Sequence, residues 1–309
     1  MFRMSDTAYE VMVVGGGPAG LSAALYLARY DRATALLDAG RGRSTWHQIN
    51  HNYLGFPGGI PARELRERGQ QQVAEYEQVT LLEHTIDTLR REDGWFVAEG
   101  QAGTWRAQAV ILATGVVDHY PHFDGWQEYV GRSMFWCITC DGYSCRDCDV
   151  VVAGAGDEAA SIALQLQRFA TSITLLTDSM EPTISPQFLR RLERAGIAVI
   201  VDKIASVVGE DGYIEAILTK RGERLAATKL FSFQGSTPQN ELARQLDVLC
   251  NADGYIMVDT EQKTNVPGFY AAGDVTRLHS HQITTAVHEG GQAASAANYF
   301  LYPLEFKGD

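Results

Sequence analysis

Tyr9-Glu10-Val11-Met12-Val13-Val14-Gly15-Gly16-Gly17-Pro18-Ala19-Gly20 is the stretch that decides the fold. A short apolar run rich in β-branched residues passes directly into Gly15-x-Gly17-x-x-Gly20. Leu21 to Tyr30 then places Leu21, Ala24, Leu25 and Ala28 at helical spacing. Strand before and helix after give the glycines a mechanical meaning. Gly15 permits the tight turn, Gly17 lets a pyrophosphate approach the backbone, and Gly20 allows helix to pack on strand. The helix that opens at Pro18 and Ala19 offers free N–H groups and a positive dipole end to phosphate. Thr34 to Leu37 reads as the next strand and ends in Asp38, an acceptor for ribose hydroxyls.

The same unit recurs. Val150 to Ala153 is a strand, Gly154-Ala155-Gly156 a turn, and Ala159, Ile162, Ala163, Leu166 and Phe169 form one helical face. Ser172 to Leu176 is the following strand, closed by Asp178. This is an internal duplication of a dinucleotide-binding unit. The second turn is less regular. Ala159 replaces the third glycine, and Asp157 and Glu158 put negative charge near any pyrophosphate unless they turn to solvent and favour the helix dipole. Asp178 suits an unphosphorylated ribose and repels a 2′-phosphate. Thr177-Asp178-Ser179-Met180-Glu181 carries no Arg or Lys to clamp one. NADH or the AMP half of a second FAD therefore fits better than NADPH. Elsewhere, Trp95 to Ala98, Trp105 to Leu112, Ile197 to Val208 and Ile214 to Thr219 read as strands, and Ile283 to Phe300 as a helix of small residues.

Four of the five cysteines lie between residues 137 and 148. Cys137-Ile138-Thr139-Cys140 has the spacing of a reversible disulfide, in which one thiolate attacks and the other resolves. Asp141 follows at once and can protonate a leaving thiolate. Cys145 and Cys148 extend the pattern to C-x2-C-x4-C-x2-C, which also matches iron–sulfur and zinc spacing. Cys148 immediately precedes the second dinucleotide strand, so the two read as spare thiols or a second exchange pair, with no metal. Cys250 stands alone and reads as structural. Trp46, His47 and His51 form a polar–aromatic cluster, and Trp136 and Tyr143 flank the cysteines; packing roles are the plainer reading of all five.

The bulk properties exclude several classes. The chain has 309 residues, 45% hydrophobic and 21% charged, enough for about two packed domains. A net charge of −12 disfavours nucleic acid and anionic lipid as partners. No apolar run reaches the ~18 residues of a spanning helix, and Met1 to Glu10 lacks a signal-peptide core. A cytoplasmic protein without membrane association is the expectation.

Gly15-x-Gly17-x-x-Gly20, Ala113-Thr114-Gly115, Cys137-x-x-Cys140-Asp141-Gly142, Gly154-x-Gly156 and Ala272-Gly273-Asp274 together resemble the low-molecular-weight thioredoxin reductase family, in order and spacing, over nearly the whole chain. Asn50-His51-Asn52-Tyr53-Leu54-Gly55-Phe56-Pro57 looks more like thioredoxin-reductase-like relatives. The resemblance implies an α/β fold class with two Rossmann-like three-layer dinucleotide-binding domains, the second inserted in the first. Residues 1–116 and 246–309 would form a discontinuous FAD-binding domain. Residues 117–245 would form the inserted NAD(P)H-like domain carrying the cysteine pair. A homodimer is implied.

The resemblance also implies that Cys140 faces the flavin, Cys137 exchanges with a substrate disulfide and Asp141 is the acid. By the same resemblance, Gly15, Gly17, Pro18, Ala19, Gly20, Asp38, Asn52, Ala113, Thr114, Gly115, Gly273, Asp274, Gln282 and Ile283 serve FAD, with Asp274 on the ribityl–phosphate chain and Gln282 and Ile283 by the isoalloxazine. Gly154, Gly156, Asp157, Glu158 and Asp178 would form the second nucleotide site.

The chain departs from the pattern at two places. NADPH-using members carry a His-Arg-Arg type cluster where this chain has Thr177-Asp178-Ser179, and His281 replaces the Arg commonly found before the Gln282 position. The pattern looks like the atypical branches that take electrons from ferredoxin or hold a second FAD. The expected partner is a thioredoxin-like protein or a small disulfide or dithiol. Ferredoxin would need a basic patch such as Arg63, Arg66 and Arg68, or Arg190, Arg191 and Arg194. Three readings stay open beside a disulfide reductase: an NADH- or ferredoxin-linked reductase, a small-dithiol oxidase, and a redox-responsive regulatory flavoprotein without efficient turnover.

Overall fold

The computed structural model describes residues 7–46, 48–277 and 279–307; His47 lies outside them. The chain packs as two compact units, Met1–Thr45 with Ala62–Val117 and Thr237–Asp309, and Trp46–Pro61 with Asp118–Ser236.

The first unit is built on a seven-stranded sheet. Strands Val79–Leu82, Thr34–Leu37, Thr7–Val14 and Gly103–Leu112 run side by side and parallel, and Phe269–Ala271 joins Gly103–Leu112 in the same sense. Trp95–Gly100 and Thr88–Glu92 extend the sheet antiparallel. Val13 pairs with Leu36 on one side and Ile111 on the other. Side chains alternate across the strands. Val11, Val13, Leu36 and Ile111 pack under helices Pro18–Arg29 and Ile283–Leu301, while Met12, Val14, Leu37 and Leu112 pack on the opposite layer. That run is apolar without alternation because both faces are covered.

The small residues of Ile283–Leu301 let two backbones approach. A Cβ at Gly290 would overlap the Ala19 carbonyl, and one at Gly291 would lie 3.1 Å from Tyr26. The opposite layer contains Leu242, Ala243, Val248 and Ile256. Residues 237–245, which the sequence reading assigns to the insertion, therefore pack with the outer unit, and Trp46–Pro61 groups with the inserted one. Neither segment carries a period long enough to declare its unit.

The second unit repeats the plan. Met134–Phe135, Lys229–Ser232, Asp149–Ala153, Ser172–Leu176 and Ala198–Ile200 form a parallel five-stranded sheet in that order. Helix Asp157–Leu166 packs beside it through Ala159, Ala160, Ala163 and Leu166. The expected strand Ile197 to Val208 is two strands, Ala198–Ile200 and Ile204–Glu210. The break falls at buried Asp202, whose carboxylate accepts the Lys203 and Arg221 N–H groups. Ile204–Glu210 instead opens a separate antiparallel sheet with Tyr213–Thr219 and Arg224–Ala226. Among the described residues no helix is long and apolar enough to cross a membrane.

Candidate functional site

At the first turn each glycine has a steric reason. Gly15 has φ +111°, and a Cβ there would overlap the Ala113 carbonyl. Ala113-Thr114-Gly115 thus lies against the turn, and the Ala113 N–H donates to Val14 O at 2.8 Å. A Cβ at Gly20 would overlap the Gly15 carbonyl, whereas nothing lies within 4 Å of one at Gly17. The open position is the one a pyrophosphate needs. Gly17 caps the helix without any side chain on its N–H groups, and Pro18 occupies the start of the helix, where no partner is lost.

Ala113 and Thr114 lie against Gly15, and Asp38 lies against Gly16. Gly273, φ +80°, brings its own missing Cβ to 3.0 Å from Ala19. Asp274 pairs with Arg43 at 2.8 Å, and Asp38 pairs with Arg66. Glu289, 1% exposed, accepts the Gly273 N–H at 2.7 Å and pairs with Arg277. Gln239 straps Ala113-Thr114-Gly115: its side chain donates to Thr114 O at 2.6 Å, and its N–H donates to Gly115 O at 3.0 Å. The sequence did not point to Arg43, Gln239 or Glu289, and it offered Arg66 only as part of a basic patch, not as the partner of Asp38. Only Glu289, a lone charge in a helix of small residues, carried a signal. Gln282 caps helix Ile283–Leu301, and its carbonyl accepts the Ala286 N–H at 3.0 Å. Asn52 lies in Trp46–Pro61 and so belongs by packing to the second unit.

Cys137 and Cys140 form a disulfide with Cα atoms 5.3 Å apart. Helix Ile138–Asp141 places them one turn apart, with Cys137 as the cap residue. The Cys140 N–H donates to Cys137 Sγ and the Asp141 N–H to Cys137 O, at 3.1 and 2.9 Å. Gly142 is required: a Cβ would stand 2.6 Å from Ile138 O and 3.1 Å from Phe169. Burial pushes the Asp141 carboxyl up to about 7, opposed by the Lys229 ammonium. That ammonium donates to Arg132 O at 3.2 Å and sits 5.3 Å over the Phe135 ring. Asp141 is therefore an acid that still holds its proton near neutral pH. Trp136 packs edge-on to Tyr120, 5.6 Å between centroids, in a cluster that includes Trp46 and Trp126. Tyr143 is 71% exposed under Arg146. Cys145 and Cys148 are free thiols, and Cys250 lies beside Asn240. Among the described residues no three His, Cys, Asp or Glu side chains converge to hold a metal.

The second turn copies the first in its opening residue. A Cβ at Gly154 would meet Phe233 O at 2.5 Å, as one at Gly15 would meet Ala113 O. Beyond that it differs. Asp157 is not turned to solvent: its Oδ1 accepts the Ser185 N–H at 2.6 Å, while Glu158 is exposed. The Thr183 N–H donates to Ala155 O at 2.7 Å, and Thr183 Oγ1 lies 3.7 Å from where a Gly156 Cβ would be. Asp178 has φ +48° and both oxygens engaged, Oδ1 by the Ile204 N–H at 2.8 Å and Oδ2 by Gln234 Nε2 at 2.6 Å. One candidate basic patch is also engaged: Arg63 donates to Thr45 O, Arg66 pairs with Asp38 and Arg68 with Glu64.

Comparison with known proteins adds four findings. The pyridine nucleotide-disulphide oxidoreductase family profile matches residues 9–290. The chain is 32% identical to a thioredoxin reductase of Treponema pallidum (strain Nichols), over 97% of this chain and 99% of that protein. Among solved structures, the thioredoxin reductase from Streptococcus pyogenes MGAS5005 superposes with TM-score 0.89 at 26% identity, over 96% of this chain and 99% of that one. The atypical thioredoxin reductase TRi from Desulfovibrio vulgaris Hildenborough is 36% identical over 94% of this chain and 97% of its own, with TM-score 0.53.

Proposed function

The chain belongs to the pyridine nucleotide-disulphide oxidoreductase family, among the thioredoxin reductase-like members, and from that premise we propose how its residues divide the work. It is a flavin-dependent disulfide oxidoreductase. The first unit fits FAD: the open Gly17, the uncapped helix N-terminus, Asp38 at the strand end and Asp274, which follows the Gly273 that faces Ala19, match a pyrophosphate and its ribose and ribityl hydroxyls. FAD, when bound there, supplies two-electron exchange with the cysteine pair.

The observation that carries the proposal is the Cys137–Cys140 disulfide on one helical turn beside a carboxyl that titrates near 7. In the reduced pair, Cys137 attacks a substrate disulfide as thiolate. The substrate S–S bond breaks, a mixed disulfide forms, and Asp141 gives its proton to the departing sulfur. Cys140 then attacks Cys137 Sγ, releases the second substrate thiol and restores the Cys137–Cys140 disulfide. Cys140 is the member of the pair that receives electrons from the flavin side. The substrate is a thioredoxin-like protein or a small disulfide, reduced in the cytoplasm by a homodimer. The relatives named thioredoxin reductase support reduction as the direction.

The second site takes a nucleotide with an unphosphorylated ribose, a second FAD ahead of NADH, and not NADPH. Support comes from Asp178, whose carboxylate is fixed by the Ile204 N–H and Gln234 where a 2′-phosphate would need a cation. The resemblance to a reductase described as atypical agrees. Released flavin per chain, followed by anaerobic titration with NADH, NADPH and reduced ferredoxin, tests this. Two FAD per chain, or one FAD with reduction by NADH alone, is the expected outcome. Efficient reduction by NADPH overturns it, and a well-folded chain that never retains flavin overturns the whole assignment.

A further inference from the structure

Cys145 and Cys148 take no part in the chemistry above, yet they repeat the spacing of the pair that does. Arg146 (φ −59°, ψ 132°) and Asp147 (φ +60°) form the centre of a type II turn, and the Cys148 N–H donates to Cys145 O at 3.2 Å. Such a turn holds its end Cα atoms within about 7 Å, and disulfides span about 4.4–6.8 Å. The working pair has the same closing bond, from the Cys140 N–H to Cys137 O at 3.1 Å. Cys148 Sγ points back into the turn, 3.4 Å from Arg146 O and 3.9 Å from Ser144 O. Both cysteines pack on one core cluster, Cys145 buried and Cys148 half-buried at its edge.

We propose that Cys145 and Cys148 are a second dithiol–disulfide couple, oxidised by disulfides of low molecular mass. Cys148 is the accessible thiol and attacks first. As thiolate it breaks the S–S bond of RSSR, forms Cys148–S–S–R and releases RS⁻, which takes up a proton. Cys145 then attacks Cys148 Sγ, the bond to the R-bearing sulfur breaks, and the second RS⁻ leaves with the Cys145 proton. The dithiol loses two electrons and two protons, and RSSR becomes two RSH. The order follows from the surroundings. Burial pushes the Cys145 thiol up to about 12, with Cys148 and Asp141 adding to the shift and Lys229 opposing it. Ring closure by Cys145 is therefore the slow step, and it accelerates with rising pH.

Arg146 makes the test direct, because trypsin cuts between the two cysteines. In a Cys137→Ser, Cys140→Ser chain, peptide 133–146 holds only Cys145 and peptide 147–168 holds only Cys148. The native double variant is exposed to oxidised glutathione, quenched, alkylated, digested without reductant and weighed. The proposal expects 133–146 joined to 147–168, separable by dithiothreitol. The unsubstituted chain provides the control for folding: its three free thiols should fall to one, Cys250 alone remaining alkylated. Glutathione held stably on Cys148 with Cys145 still alkylated overturns the proposal. So does survival of both thiols in either chain.

Discussion

Asp141 shows how one buried carboxyl ties stability to pH. Its pKa is raised from 3.8 to about 7, so the folded chain keeps a proton that the unfolded chain loses. Stability therefore falls as pH rises between those two values and is level above them. Asp141→Asn removes that slope in denaturation measured across the window. The same substitution lowers disulfide turnover by on the order of 10²–10⁴, the usual worth of a general acid, and abolishes the rate limb near pH 7. Gly142→Ala acts differently. Its Cβ meets Ile138 O and Phe169, so the chain loses about 1–3 kcal/mol in urea unfolding. The Cys137–Cys140 disulfide was legible from its two-residue spacing, one of several readings that spacing allows, and Asp141 from its place beside it. Lys229 was not, since it lies far away in the chain and meets this site through the pairing of Lys229–Ser232 with Met134–Phe135 and Asp149–Ala153.

At the scale of elements, the helix Ile283–Leu301 shows why a run of small residues needs one charge. Glu289 holds the Gly273 N–H and Arg277 at the base of the turn that presents Asp274. Glu289→Ala leaves a buried N–H and a cation without their acceptor, a loss of about 1–3 kcal/mol. Faster release of flavin on dilution is the readout, and Glu289→Gln recovers part of it through the Gly273 bond. Strand, turn and helix at residues 7–29 and 149–166 were readable from the sequence because glycine spacing and helical period agree there. The folding of Thr183 and Ser185 back onto the second turn was not readable, because a long-range contact such as Asp157 to the Ser185 N–H leaves no periodic trace. Asp157, which the sequence left between facing a pyrophosphate and turning to solvent, holds that backbone donor instead.

Across the whole molecule, duplication is the main organising fact. The main sheet of each unit places the strand after the glycine turn beside the first strand, and both units have antiparallel strands preceding the strand that returns to the first strand's other side. The repeat was evident in sequence from two glycine turns and two closing acids. The edges of the units were not, because Leu242 and Ala243 are apolar residues that either unit could bury, and packing assigns them to the first. Trp46–Pro61 has neither helical nor strand period, so only its packing places it. The central claim is that electrons reach a disulfide substrate through Cys137 and Cys140. It is tested most directly by anaerobic single turnover. Flavin in the intact chain and in the Cys137→Ser, Cys140→Ser chain is photoreduced, thioredoxin disulfide is added, and return of the oxidised flavin absorbance is followed. Rapid return in the intact chain, one disulfide reduced per flavin, with no return in the double variant, is the predicted result. Equal rates of return in the two chains would contradict the account.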